Sequence, residues 1–417
     1  MLLRTYGMIC FAWCGVGCQA RIDFSGLDAG VGTGGLASIG ANTFGGSQAM
    51  STGGATALDG VGGSQAMSTG GATALDGVGG SQAVSTGGAT ASEPCDSNVD
   101  GCESPVVLVS NIMDAPCSIA LDATYVYWAD CTTGELKKVP IDRGSPTTLV
   151  SGEGYLIGPL VDAKYAYWIK TAVGNYEVRK VPLAGGTPTT LASGFEISEF
   201  VVGATSVVFT NYIGCVYSST GHVGYELISV PVEGGTPTTL FSDFSEEAYP
   251  TGITTDRTNI YWSHGRFPAD ICRYSGGRSP ESPLGGTILK IPLDGGTPRT
   301  LAAGGRQPVG VVADNTNVYW MDNIAYTAMA TMSVPIDGGT PTTFNSDEPR
   351  QIAVHGGYVY WSTGGTIRRV LRGGGVPEIL VTTLNLGAYA VDATNLYWVD
   401  LGDGTRGAAS LMKLRLR

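Results

Sequence analysis

From Val106 onward the chain runs in short stretches of alternating apolar and polar residues, each closed by turn formers. One set covers 118–121, 125–129, 136–139 and 147–150, separated by turns such as Asp-Ala-Thr and Asp-Arg-Gly-Ser-Pro. A period of two over stretches this short predicts strands, and no stretch keeps the three-to-four spacing of an amphipathic helix. The evenness of the spacing argues against β-α-β units and for an all-β ring.

The set repeats. Paired aromatics fall at Tyr127-Trp128, Tyr167-Trp168, Tyr261-Trp262, Tyr319-Trp320, Tyr360-Trp361 and Tyr397-Trp398, with Val208-Phe209 as a degenerate member between the second and third. The 270 residues from Trp128 to Trp398 span six intervals, a mean of 45, which suits a four-stranded propeller blade. The expected fold is therefore a single β-propeller over 105–417 with seven blades, or six if the degenerate member is not a blade. Successive residues of a strand point to opposite faces, so each Tyr-Trp pair can pack against both neighbouring blades. Pro140, Pro182, Pro231, Pro292 and Pro335 stand near the ends of third strands, where a missing N–H is tolerated. Gly185, Gly234, Gly295 and Gly338 open Gly-Gly-Thr-Pro turns that need positive φ. The last unit ends after three strands, and 106–110 (VVLVS) supplies a fourth, so an N-terminal strand should close the ring against 410–416.

Tyr-Trp-x-Asp, intact at Tyr127, Tyr319 and Tyr397, with the following Lys-x-Pro-Leu-Asp-Gly-Gly, resembles the YWTD repeats of the low-density lipoprotein receptor class and, more loosely, bacterial TolB-like propellers. The resemblance implies a propeller over 106–417 and carries no ligand with it. Seven units are counted here, whereas the YWTD family builds six.

Outside the ring the composition changes. Residues 1–20 carry one early cation, Arg4, an apolar centre and small residues before Cys18, as an export signal does. Cys18 is either a lipidated first residue of a lipoprotein, or part of an ordinary cleavage site that frees a secreted product. A retained membrane anchor is the third possibility. Residues 21–92 are rich in Gly, Ser, Thr and Ala, and 45–61 recur unchanged at 62–78, which predicts a disordered tether. Residues 93–104 form a small Cys loop in which Asp96, Asn98 and Asp100 resemble the start of a calcium loop. Val107 stands where the closing Glu would be, so calcium is a weak candidate and no other cofactor is expected.

Three of the nine cysteines lie in the leader, and Cys95, Cys102, Cys117, Cys131, Cys215 and Cys272 remain as disulfide candidates for an extracytoplasmic protein, in the cell envelope or secreted. Cys117 and Cys131 flank the first two strands of unit one, and Cys215 and Cys272 lie one in each of two neighbouring long stretches. A net charge of −12 excludes nucleic acid and anionic membrane surfaces as partners, which leaves the membrane only through a lipid anchor.

Candidate chemistry gathers where the repeat lengthens, at 210–226 and 263–287. Tyr212, Tyr217, His222 and Tyr225 lie in the first; His264, Arg266, Phe267, Asp270, Arg273 and Tyr274 lie in the second. Aromatic rings beside Arg and His can hold a sugar, a peptide or a carboxylate. Asp243, Glu246 and Glu247 are available to pair with the arginines. Inner-strand positions Ser118, Leu160, Phe200, Gly252, Gly310, Gln351 and Tyr389 lack the carboxylate ring of lactonase-like propellers, with Glu196 and Glu199 the acids nearby. No catalytic motif appears, and His355, in place of the Asp of its repeat, reads as a turn residue. The reading is a monomeric, non-enzymatic binding protein for a protein or glycan, with a hydrolase or lyase on the same face, or a structural envelope component, as alternatives.

Overall fold

The computed structural model describes residues 104–114, 116–172, 175–213, 224–245, 248–266, 285–325, 328–405 and 407–417. The leader, the tether and the Cys loop lie outside them, and with them Cys18, Cys95, Cys102, Asp96, Asn98 and Asp100.

The described chain folds into seven four-stranded antiparallel sheets. Their innermost strands are Ser118–Leu121, Tyr155–Val161, Ile197–Val202, Ala248–Thr255, Val309–Ala313, Gln351–His355 and Leu386–Val391, in blades one to seven. Each inner strand touches the next, and the seventh touches the first, so the strands close a circle around a common axis, the channel of the ring. Blade seven is completed by Val106–Ile112, which pairs with Ala409–Arg415 through Val106 opposite Lys413 and Ile112 opposite Ala409. The first and last strands of the ring thus share one sheet, as the unfinished seventh unit predicts.

The core is divided among the joints. Seven apolar clusters occupy the seven boundaries between blades. Trp168 turns back onto Leu136 and Val150 of blade one, while Tyr167 turns forward onto Val207 and Phe209 of blade three. Trp262 packs against Val208 and Leu227 of blade three, and Tyr261 against Val318 and Trp320 of blade five. This is the two-faced packing expected of adjacent strand positions. Losing one such ring from a core costs about 3–5 kcal/mol.

Strand pairing separates two faces. The lower face carries the Asp turns between first and second strands and the Gly-Gly turns between third and fourth. There Gly185, Gly234, Gly295 and Gly338 take φ of 91, 90, 94 and 83. The upper face carries the connections from second to third strand and from each outer strand to the next blade. Cys117 and Cys131 are bridged on it, with Cα atoms 5.9 Å apart, tying the entry of blade one's inner strand to the exit of its second strand.

Candidate functional site

On the upper face of blades three and four the strands run further than sequence patterning predicts. The second strand of blade three continues to Ile213 and its third begins at Gly224, with Tyr212 opposite Tyr225. In blade four the second strand reaches Arg266, and His264 pairs with Thr287. Tyr212, Tyr225 and His264 are therefore strand residues rather than loop residues, because the backbone keeps pairing past the apolar pattern. Tyr217, His222, Phe267, Asp270, Arg273, Tyr274, Cys215, Cys272, Glu246 and Glu247 lie outside the described residues, as does the side chain of Arg266.

Tyr225 and His264 meet across the joint between the two blades. Tyr225 is fully buried. Trp262 donates its indole N–H to the Tyr225 hydroxyl at 2.8 Å, and that hydroxyl lies 3.2 Å from His264 Nδ1. Asp243, closing the outer strand of blade three, stands 3.5 Å from the same nitrogen. A neutral imidazole can accept from the phenol there, and a protonated one can donate to the carboxylate. The Tyr225 and His264 rings meet edge-on at 5.7 Å, and Phe241 packs 5.4 Å from the Trp262 ring. Burial, and secondarily the Asp243 charge, push the Tyr225 phenol above its ordinary range against the lowering bond from Trp262. The hydroxyl is thus held protonated inside the joint. Among the described residues Asp243 thus has a histidine for partner, while the arginine side chains expected to pair with it lie outside them.

Nearer the channel, a second row of polar and aromatic side chains lies half-buried. Tyr212 donates its backbone N–H to the Glu196 carbonyl at 2.7 Å, and Glu196 N–H donates to Asn211 Oδ1 at 3.0 Å. Because cross-strand partners share a face, Tyr212 points with Tyr225 toward blade four, where Tyr249 opens the next inner strand. Burial raises Tyr249 to about 12, with the Gln307 bond lowering and Tyr212 raising it. Burial and then the charge of Glu196 raise Tyr212. Gln307 Nε2 donates to Tyr249 OH at 3.3 Å.

Gln307 is itself held in place by Asp322. That buried carboxylate accepts from the backbone N–H groups of Arg306 and Gln307 at 3.0 and 2.9 Å, and from the Trp320 indole at 3.4 Å. Beside it a cleft of about 300 Å³ opens between blades four and five, floored by Ile288, Trp320 and Met332 and walled by Pro308 and Pro341. The upper rim from blade three to blade five is therefore a continuous band, Glu196, Tyr212, Tyr249 and Gln307, ending in a partly apolar cleft. Patterning that looks only at the two long stretches does not single out Tyr249 or Gln307. The available signal was an aromatic residue opening an inner strand next to Pro250. Among the described residues no group of three or more His, Cys, Asp or Glu is placed to hold a metal.

No family model matches this sequence, and no curated protein sequence does either. Solved structures do resemble the fold. Virginiamycin B lyase from Staphylococcus aureus aligns at a TM-score of 0.51 and 13% identity over 75% of this chain and 99% of its own. Oligogalacturonate lyase from Vibrio parahaemolyticus aligns at 0.53 and 10% over 75% and 91%. A chain of a nidogen/laminin complex aligns at 0.39 and 17% over 67% and 86%. The chain is a β-propeller repeat protein, and likenesses at these identities speak of fold alone.

Proposed function

We propose that this propeller is a binding protein that receives a protein or glycan ligand on the upper face of blades three to five. The observation that carries the reading is the band of half-buried Tyr212, Tyr249 and Gln307, fixed from below by Asp322 and by the joint network of Tyr225, Trp262 and His264. Amphipathic rings held by a rigid second layer lose little freedom on binding, which is what a recognition surface requires. A hydrolase or lyase on this face needs an acid–base pair open to substrate. The Tyr225–His264 pair has the right composition, but Tyr225 is sealed in the joint and its hydroxyl is occupied by Trp262 and His264. Display outside the cytoplasm, as a lipoprotein through Cys18 or as a secreted chain, accords with the leader and with the Cys117–Cys131 bridge.

The test is capture by the immobilised full chain on a glycan array and from an envelope extract, beside Tyr212→Ala and Gln307→Ala. Each substitution should weaken capture about tenfold or more, the loss of one contact worth about 1.4 kcal/mol, while the unfolding temperature stays near that of the parent. Capture that is unchanged in both variants would remove the upper rim as the site.

A further inference from the structure

The seven inner strands that wall the channel contain one acidic residue, Glu199, and no lysine or arginine. Their remaining titratable groups are tyrosines and His355, which ends the inner strand of blade six at the opposite, lower face. Glu199 owes its position to a bulge. Ile197 pairs with Asn211 and Phe200 with Phe209, so Ser198 and Glu199 together face the single residue Thr210. The Thr210 hydroxyl takes up both, accepting from Glu199 N–H at 3.0 Å and lying 2.9 Å from Ser198 Oγ.

Ile197 and Phe200 turn into the core shared with blade two, and Val201 into the core shared with blade four. That leaves Glu199, half-buried, on the innermost strand of its sheet, whose free edge borders the centre of the ring. Four other inner strands carry shifts at the same level, and the residues there are Gly158 and Pro159, Thr251, Gly310 and Val311, and Gly387 and Ala388. The wall opposite Glu199 is thus small or uncharged.

The carboxyl has no hydrogen bond or ion pair among the described residues, and burial alone raises it to about 7. The titratable groups on the strands packed around it are Tyr155, Tyr212 and Tyr249, with Glu196 just ahead of its own strand, and none of these is a cation. A half-buried carboxylate without a counter-ion is costly, and among the described residues none supplies a counter-ion here.

We propose that Glu199 is an anchor for a cationic group, the ammonium or guanidinium of a lysine or arginine carried by a protein ligand, which enters the channel from the upper rim. This rests on the upper face being the binding face and names the chemistry it selects. A narrow, unbranched side chain suits the small residues at the level of these shifts, and the chain's net charge of −12 draws basic segments toward it. Binding a cation stabilises the ionised form of Glu199, so affinity falls as the pH drops through the free carboxyl's pKa.

The test is calorimetric titration of the full chain with n-butylguanidinium, n-butylammonium and glucosamine at pH 8 and pH 6, with n-butanol as the neutral control. Saturable binding of the alkyl cations is expected at pH 8. It should be about tenfold weaker at pH 6, absent in Glu199→Gln and intact in Tyr212→Ala. In the parent protein, carboxyl carbon NMR should show one glutamate titrating near neutrality and moving toward ordinary values when n-butylguanidinium is added, a readout that needs no variant. Binding that survives Glu199→Gln, or that is equal at the two pH values, would overturn the anchor. Preference for glucosamine would overturn its assignment to a basic side chain. These probes are too small to depend on the rim, so loss of partner capture in Tyr212→Ala with cation binding retained supports both readings, whereas rim-dependent capture without cation binding rejects only the anchor.

Discussion

Tyr261 donates its phenolic hydrogen to Asp256 Oδ2, five residues earlier, at 2.7 Å, while Oδ1 of the same carboxylate accepts from the backbone N–H groups of Thr258 and Asn259 at 2.8 and 2.6 Å. The pair recurs as Asp122–Tyr127, Asp162–Tyr167 and Asp392–Tyr397 at 2.5, 2.6 and 3.0 Å. One Asp thus folds its turn and fixes the tyrosine that fills the next joint. Burial alone would raise the Asp256 pKa, but the bonds from Tyr261, Asn259 and the turn amides outweigh it, and Asp314 and Asp392 are likewise held below the usual range by bonds that outweigh their burial.

A carboxyl depressed in the folded state contributes stability that is complete above its unfolded pKa of about 4 and is lost as the pH falls toward its folded value. The tyrosines work the other way. Burial and the neighbouring carboxylate raise Tyr127, Tyr167 and Tyr261, so their contribution is complete below pH ~10 and is lost as the pH rises further. Melting temperature measured against pH should fall below pH ~4 and above pH ~10, with a further decline from pH ~5 to about 7 as the raised Glu199 carboxyl ionises. Tyr261→Phe should cost about 1.5–3 kcal/mol at pH 7, the worth of a hydrogen bond to a charged group, and should diminish the alkaline loss. A Phe variant as stable as the parent would show the bond to be inert.

Basic side chains lace the ring together on the lower face. Lys138, Lys290 and Lys413 each donate to a backbone carbonyl of the next blade, at Leu183, Ile336 and Ile141, over 2.6, 3.3 and 2.9 Å. Lys180 does the same to Val232, and Arg369 to the Arg417 carbonyl at 3.3 Å. Between blades five and six Arg372 reaches back to Asp314 at 2.9 Å. Only the joint between blades three and four, among the described residues, has no such tie on this face. Ser229 stands where the lysine would be, and Leu293 packs on Gly203 instead. This is the joint whose upper end carries Tyr225 and His264. Amide hydrogen exchange should be faster in Ile197–Val202 and Ala248–Thr255 than in the other inner strands. Ser229→Lys should slow it and add about 0.5–1 kcal/mol. Uniform exchange around the ring would mean that the missing tie has no consequence.

The ring was legible in the sequence because each blade restates the same local chemistry: period-two strands, an Asp turn, Tyr-Trp, and a Gly-Gly turn. Even closure by 106–110 could be read from an unfinished last unit. The lacing was equally visible, since lysine precedes the third-strand proline by two residues at Lys138, Lys180 and Lys290 while Ser229 and Ser333 break the rule. Its meaning was not, because the acceptor belongs to another blade and no local pattern points to a carbonyl some 45 residues on. The site was legible only in part for the same reason. Tyr225 and His264 are 39 residues apart, and their meeting depends on how two blades face each other rather than on either strand.

Arg143 occupies the turn position that Gly185, Gly234, Gly295 and Gly338 hold in other blades, and it takes their backbone conformation, with φ of 84. Its N–H closes the same turn on Pro140 at 3.2 Å, so the hydrogen bond is kept and only the side chain is misplaced. A left-handed conformation costs a residue with a Cβ about 1–2 kcal/mol. Part of that is offset by the greater freedom glycine has in the unfolded chain. Arg143→Gly should therefore stabilise the protein by about 1 kcal/mol in denaturant titration, and a loss of stability would mean that the arginine makes a compensating contact.

Closure by the N-terminal strand predicts a dependence that no other outer strand should show so sharply. Val106–Ile112 is separated from its partner Ala409–Arg415 by nearly the whole ring, so their pairing converts an open arc into a circle. Leu108 is buried with Val126, Trp128, Tyr397 and Leu411, and thereby links this strand to both blades one and seven. A chain that begins at Cys117 leaves the edge of blade seven unpaired and uncovers this cluster. Its unfolding should be broader and at lower temperature than that of a chain beginning at Pro105. In the longer chain Leu108→Ala should cost about 2–5 kcal/mol, and Val107→Ala, whose side chain is 49% exposed, much less. Equal melting of the two chains would show that the ring holds without its closing strand, and equal costs for the two alanines would show that Leu108 does not join blade seven to blade one.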